Sequence, residues 1–317
     1  MPLDPQARAL LDLAAAQGAP PTWTLAPAEA RALMRAGAAV LGPGEPVARV
    51  DDRAIPGPGG PIPLRIYDSG GDGPRPALVF FHGGGWVVGD LDTHDHLCRA
   101  IAVAASAVVV AVDYRLAPEH KFPAAIDDAF AATLWTFAHA RELGIDPGRI
   151  GVGGDSAGGN LATVVALMAR DRGAPPVAHQ VLIYPITDCD FDTPSYLENS
   201  EGYGLSRGGM IWFWQQYLEG LAAASSPLAA PLRAEDLSGL PPTLILTAQY
   251  DVLRDEAESY AARLRLANVP VTLIRHEGMI HGFARRLDIL DAARTALAQV
   301  ASAIGRGGPP ELTRGMA

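Results

Sequence analysis

Six short apolar runs, at 77–81, 107–112, 149–153, 180–184, 243–248 and 271–275, alternate with segments of helical spacing at 93–105, 124–142, 157–171, 253–268 and 286–304. Most of the runs are rich in Val, Ile, Leu or Phe and show no polar alternation, so both faces of such a strand must be covered. Strands of this kind joined by helices imply a parallel sheet between two helical layers. With 317 residues, 49% of them hydrophobic, the chain can fill that core as one α/β unit or as two domains.

The flanking regions follow other periods. Residues 4–16 and 27–41 are Ala/Leu-rich with helical spacing, separated by Pro20-Pro21 and ended by Gly42-Pro43. Two alternating segments, 47–55 and 62–67, flank the turn sequence 56–61 and predict an antiparallel pair. Between Tyr184 and Thr243 lie 58 residues, far more than a single crossover helix needs, and they hold Trp212, Phe213, Trp214 and Tyr217. Ligands bind outside the carboxyl ends of parallel strands, so this insertion is expected to cap that edge. The Gly- and Pro-containing tail from Gly305 is expected to fray.

Gly154-Asp155-Ser156-Ala157-Gly158 stands directly between the run at 149–153 and the helical pattern that follows. A serine on so tight a strand-to-helix turn is presented at the positive end of the helix, with glycines two before and two after allowing close chain approach. A capping serine in a Gly-rich turn is the plainer alternative. After the run at 77–81 comes His82-Gly83-Gly84-Gly85-Trp86, whose glycine amides can converge on one developing negative charge. It lacks the Lys-Ser/Thr of a phosphate-binding loop. A nucleophilic serine needs a base and an orienting carboxylate. Asp251 follows the run at 243–248, and His281 follows the run at 271–275. The rivals are Asp255, placed to complement a helix dipole, and His276, placed too early to reach across to Ser156. His120, His139 and His179 read as structural.

Composition narrows the partners. A net charge of −10 disfavours phosphate backbones and anionic lipid, so no nucleic acid is expected. The longest apolar run, 100–112, has 13 residues and is too short to cross a bilayer, so no stable membrane insertion is expected. Arg8 and Asp12 interrupt the only apolar stretch near the start, and a cytoplasmic location is the expectation. Cys98 and Cys189 have no metal-ligand spacing, and Asp188 and Asp190 disfavour a Cys189 thiolate. His94 and His96 point to different helix faces, so a cap at Asp92 or Thr93 is preferred to a metal site there. No metal and no cofactor is expected.

The set His82-Gly-Gly-Gly-Trp86, Asp113-Tyr-Arg-Leu-Ala-Pro-Glu119, Gly154-Asp-Ser-Ala-Gly-Gly159, Asp251-Val-Leu-Arg-Asp255 and His281-Gly-Phe283 resembles the hormone-sensitive-lipase family of bacterial carboxylesterases. The likeness runs from about 47 to 303. It implies the α/β-hydrolase fold, an eight-stranded, mostly parallel sheet flanked by helices, with a helical cap. By that likeness residues 1–45 and 188–235 are cap segments, and 46–187 with 236–317 form the core. It also implies Ser156 as nucleophile, His281 as general base and then acid, and Asp251 as the group that holds the imidazole. Gly83, Gly84 and Gly85 of the loop, with Ala157, would form the oxyanion hole, the N–H groups of Gly84, Gly85 and Ala157 foremost. Val252 and Ala257 stand where many relatives have Pro and Gly, beside the carboxylate but not in place of it.

The expected substrate is a small ester of short to medium acyl chain, with a homodimer left open. Trp86, Tyr184, Leu205, Met210, Trp212, Phe213, Trp214, Ile280 and Phe283 are candidates to line the acyl or alcohol site, with Asp155 beside the nucleophile. An aromatic cluster on a helix also serves packing.

Overall fold

The computed structural model describes residues 1–305 apart from 19 and 43, so the expected fraying beyond Gly305 lies outside the described residues. Eight strands form one sheet: β1 (Arg49–Gly57), β2 (Gly60–Asp68), β3 (Arg75–Phe81), β4 (Val108–Val112), β5 (Ile145–Asp155), β6 (Gln180–Ile183), β7 (Thr243–Tyr250) and β8 (Val271–Ile280). Their spatial order is β1-β2-β4-β3-β5-β6-β7-β8. Strand β2 runs antiparallel to β1 and β4, and every later pairing is parallel.

Helices cover both faces, which explains the unbroken apolar runs. In β3, Ala77, Val79 and Phe81 join one buried cluster while Leu78 and Phe80 join the other. The first cluster takes in residues of α4 (Ala124–Ala138), α5 (Ala157–Asp171) and α8 (Arg254–Leu266). The second takes in α3 (Leu91–Ala105) and α9 (Asp291–Gly305). Helix α5 lies at the centre and is buried along nearly all its length.

Departures from the sequence reading have local causes. The β1–β2 turn shrinks to Pro58-Gly59, because β1 is an edge strand where Pro56 can sit opposite Pro61 without breaking a ladder on both sides. Strand β8 continues to Ile280, well past 275. It is the other edge, so charged Arg275 and Glu277 interrupt its apolar pattern without ending the strand. The cap of α3 is Asp90, not Asp92 or Thr93: its carboxylate accepts from Thr93 N at 2.8 Å.

Two regions stand outside the layers. Helix α1 (Pro5–Ala16) docks beside β8 through Asp4 N–H to Gly278 O at 3.1 Å, and α2 (Pro27–Ala39) packs on α3. The connection from β6 to β7 carries α6 (Pro194–Glu198) and α7 (Arg207–Tyr217). Helix α7 meets the single turn at Thr22–Thr24, so the insertion touches the N-terminal segment. No helix among the described residues is long and apolar enough to cross a membrane.

Candidate active site

Strand β5 ends at Asp155 and α5 begins at Ala157, leaving Ser156 alone on the turn at φ 54°, ψ −118°. That is a strained backbone for a residue with a side chain. The turn closes because Gly158 has none: a Cβ there would collide with the Phe81 carbonyl at the end of β3. Asp251 follows β7 directly and His281 follows β8 directly, so three strand ends converge.

The three side chains form a continuous chain of contacts. His281 Nδ1 is 2.7 Å from Asp251 Oδ2, and His281 Nε2 is 3.1 Å from Ser156 Oγ. An ionised Asp251 only accepts, which assigns the proton to Nδ1 and leaves Nε2 to accept from the serine hydroxyl. Asp251 is buried, and its other oxygen accepts from Leu253 N at 2.9 Å. Asn199 Nδ2 on the insertion reaches the Asp251 carbonyl, and Ser195 Oγ donates to Val252 O at 2.7 Å, so the insertion pins the turn that bears the carboxylate.

The rivals have other work. Asp255 lies in α8, accepts from Ser195 N at 2.8 Å and pairs with Arg254. His276 sits within β8 with Nε2 at 3.0 Å from Gln299 Oε1.

Across the turn lies the glycine loop. Among the described residues the Gly84 and Gly85 N–H groups have no acceptor, and the Ala157 N–H is one of the free donors of a helix start. Gly84 adopts φ 121°, and a Cβ there would strike the Val88 carbonyl. Gly83 corrects the expectation: its N–H donates to Asp155 Oδ1 at 2.8 Å and is not free for an oxyanion. His94 Nε2 stands 3.2 Å from the same oxygen, in ion-pair reach but off the line of a good hydrogen bond. Burial alone would raise the Asp155 pKa, yet His94, Arg285 and the Gly83 amide together hold it well below the usual carboxylate range.

Ser156 and His281 open into a cleft of about 670 Å³. Its walls come from the N-terminal segment (Pro20–Trp23 and Met34), the core, and the insertion around Leu205, Met210 and Phe213. Asp155 also contributes.

A family model described as alpha/beta hydrolase fold matches residues 78–285. The chain belongs to this family. It falls among the hormone-sensitive-lipase-like carboxylesterases: it is 46% identical to the esterase LipI of Mycobacterium tuberculosis over 258 residues, 80% of this chain and 81% of that protein. It is 41% identical to an ethyl acetate hydrolase of Pseudomonas putida over 249 residues, covering 77% of this chain and 78% of that one. A solved structure of a hyperthermophilic esterase from the archaeon Pyrobaculum calidifontis superposes with a TM-score of 0.93 at 47% identity, covering 96% of this chain and 99% of that one.

Several expected pocket residues of this hydrolase lie behind the wall. Trp86 is fully buried, stacked on Tyr217 at 4.0 Å and edge-on to Trp214 at 4.8 Å. Tyr184 backs the His281 ring at 4.6 Å, Phe283 packs on Tyr184 and His276, and Ile280 is buried at the end of β8. None of these four, nor Trp212 or Trp214, is among the residues that line the cleft. Trp86, Trp214 and Tyr217 pack the insertion against the core, because burying large aromatics releases more water than leaving them on a solvated cleft wall. The sequence reading missed Trp23, Met34 and Arg285, which carry no motif and reach the cleft only through the fold. The Cys189 thiol is pushed up to about 12, mainly by burial, with Asp188 and Asp190 adding to it against Arg233.

Proposed function

We propose that this carboxylic ester hydrolase works through a Ser156–His281–Asp251 triad and an acyl-enzyme, on esters of short to medium acyl chain. The observation that carries the reading is the unbroken relay of 2.7 and 3.1 Å ending at a serine beside unpaired glycine amides. His281 takes the serine proton as Oγ attacks the ester carbonyl, and the imidazolium is stabilised by buried Asp251. Negative charge then develops on the carbonyl oxygen, where Gly84, Gly85 and Ala157 N–H groups donate to it. The alcohol leaves with the proton from His281. A water molecule repeats the sequence on the acyl-enzyme and releases the acid.

The cleft volume of about 670 Å³ and the likeness to an ethyl acetate hydrolase support the chain-length preference. We assign residues 1–45 and 188–235 to a cap over a core of 46–187 and 236–317, a division supported by both segments contributing to the cleft wall. A fluorophosphonate probe should leave one adduct, on Ser156; folded protein with Ser156 unlabelled overturns the triad. A series of para-nitrophenyl esters from acetyl to dodecanoyl should peak at or below decanoyl, and a later optimum overturns the chain-length assignment.

A further inference from the structure

Arg285 closes the short turn Phe283–Arg285 that follows the His281 loop, and it lines the same cleft as Ser156 and His281. Its surroundings set it apart. Among the described residues, the other partly buried arginines are each satisfied. Arg31 holds Glu119, Arg65 holds Asp52, Arg115 holds Asp128, Arg254 holds Glu198 and Asp255, and Arg149 and Arg263 hold carbonyls. Arg285 is also partly buried, yet among the described residues its guanidinium has no hydrogen-bond acceptor and no carboxylate within ion-pair distance, and its Nε is shielded from solvent. Asp155 feels its charge but is already engaged by Gly83 and His94. Glu201, the other acid on the cleft wall, is exposed and makes no ion pair with it.

A guanidinium whose Nε is shut off from water and unpaired gains when a ligand supplies the acceptor. The planar fork of arginine matches a carboxylate through two parallel hydrogen bonds, which a lysine cannot reproduce. The rest of the wall is mainly Gly, Pro, Leu, Met, Phe and Trp, so Arg285 offers the unpaired positive charge that a substrate meets beside the serine. With Asp155 and Glu201 also bordering the cleft, a single negative charge suits it better than a dianion.

We propose that Arg285 is a specificity-determining residue that binds the carboxylate of an anionic ester while the ester carbonyl is held at Ser156. The substrates it would favour are half-esters of dicarboxylic acids or esters of hydroxy acids. The inference rests on the ester-hydrolase reading of this cleft.

Two matched pairs test it. On the acyl side, para-nitrophenyl pentanoate is compared with mono-para-nitrophenyl glutarate; on the alcohol side, the methyl ester of meta-acetoxybenzoate is compared with the free acid. In at least one pair, Arg285→Gln is expected to lower the anionic-to-neutral ratio of kcat/KM at least about tenfold, mainly through KM, with Arg285→Lys between the two. Raising the ionic strength of the wild-type assay should erode the same ratio, which keeps the inference testable if a variant fails to fold. A ratio unmoved by both substitutions and by salt, in both pairs, overturns it and leaves Arg285 as a counter-ion to Asp155. A protein that turns over neither neutral ester would instead overturn the ester-hydrolase reading itself.

Discussion

The Gly83 N–H donates to Asp155 Oδ1 at 2.8 Å, tying the glycine loop to the nucleophile turn across 72 residues of sequence. The same carboxylate faces His94, and the loop is further held by Tyr114 OH donating to His82 O at 2.7 Å, under a stacked pair of rings. Asp155 thus fixes the position of the glycine loop relative to Ser156. Asp155→Ala should lower kcat by about 10²–10³, the cost of losing one oxyanion donor, with a smaller change in KM. Steady-state kinetics on a short-chain ester check this, and a kcat within threefold of wild type in folded protein would contradict it.

Asp251 and Asp255 are separated by the same experiment on both. Asp251→Asn leaves an amide where the imidazole needs an acceptor, so kcat should fall about 10³–10⁴ at neutral pH. Asp255→Asn loosens only the Arg254 and Ser195 contacts, and its kcat should fall less than tenfold. The reverse ranking would reassign the acid.

Arg31 fastens α2 to the core. Its guanidinium donates to Val87 O at 2.7 Å, to Ala117 O at 2.8 Å and to Glu119, all near the glycine loop. Hydrogen bonding to Arg31 pushes the Glu119 carboxyl down to about 2. A depressed acid contributes stability above its ordinary pKa and loses it as pH falls toward the depressed value, so this contribution fades between about pH 4.5 and 2. Arg31→Ala should therefore increase amide exchange over residues 20–41 at pH 7, and acidification should narrow the gap between wild type and variant. Equal exchange at pH 7 would sink the assignment.

Asp113 carries the opposite sign. Burial, aided by Asp90 and resisted by Arg35, pushes its carboxyl up to about 6, and among the described residues its side chain accepts no hydrogen bond. The folded state therefore binds the proton more tightly, and stability declines as pH rises from about 4 through 6. Asp113→Asn should raise the melting temperature at pH 8, by a free energy on the order of 1–2 kcal/mol, and change it little at pH 4. A variant no more stable than wild type at pH 8 would contradict this.

The sheet, its helical layers and the placing of Ser156, Asp251 and His281 at three strand ends were legible in the sequence because they rest on local rules. Strands buried on both faces must read as apolar runs, and a serine turn squeezed between β3 and α5 must have glycines beside it, as Gly158 shows. Asp251 and His281 could be ranked above Asp255 and His276 by distance from a strand end alone. The register of β8 was less legible, because an edge strand tolerates Arg275 and Glu277 that a central strand would exclude.

What the chain alone determined, then, is the frame of the proposed chemistry: a tight serine turn, a glycine loop, and an aspartate and a histidine each directly after a strand. Tertiary structure decided what surrounds them. Trp86, Tyr184 and Phe283 looked like pocket residues and became packing, while Trp23, Met34 and Arg285 carried no pattern and became cleft wall. It also diverted the Gly83 amide from the oxyanion to Asp155. The physical reason is that backbone geometry at a strand end is written in neighbouring residues, whereas a cleft is the space left between segments distant in sequence, and no local period encodes it.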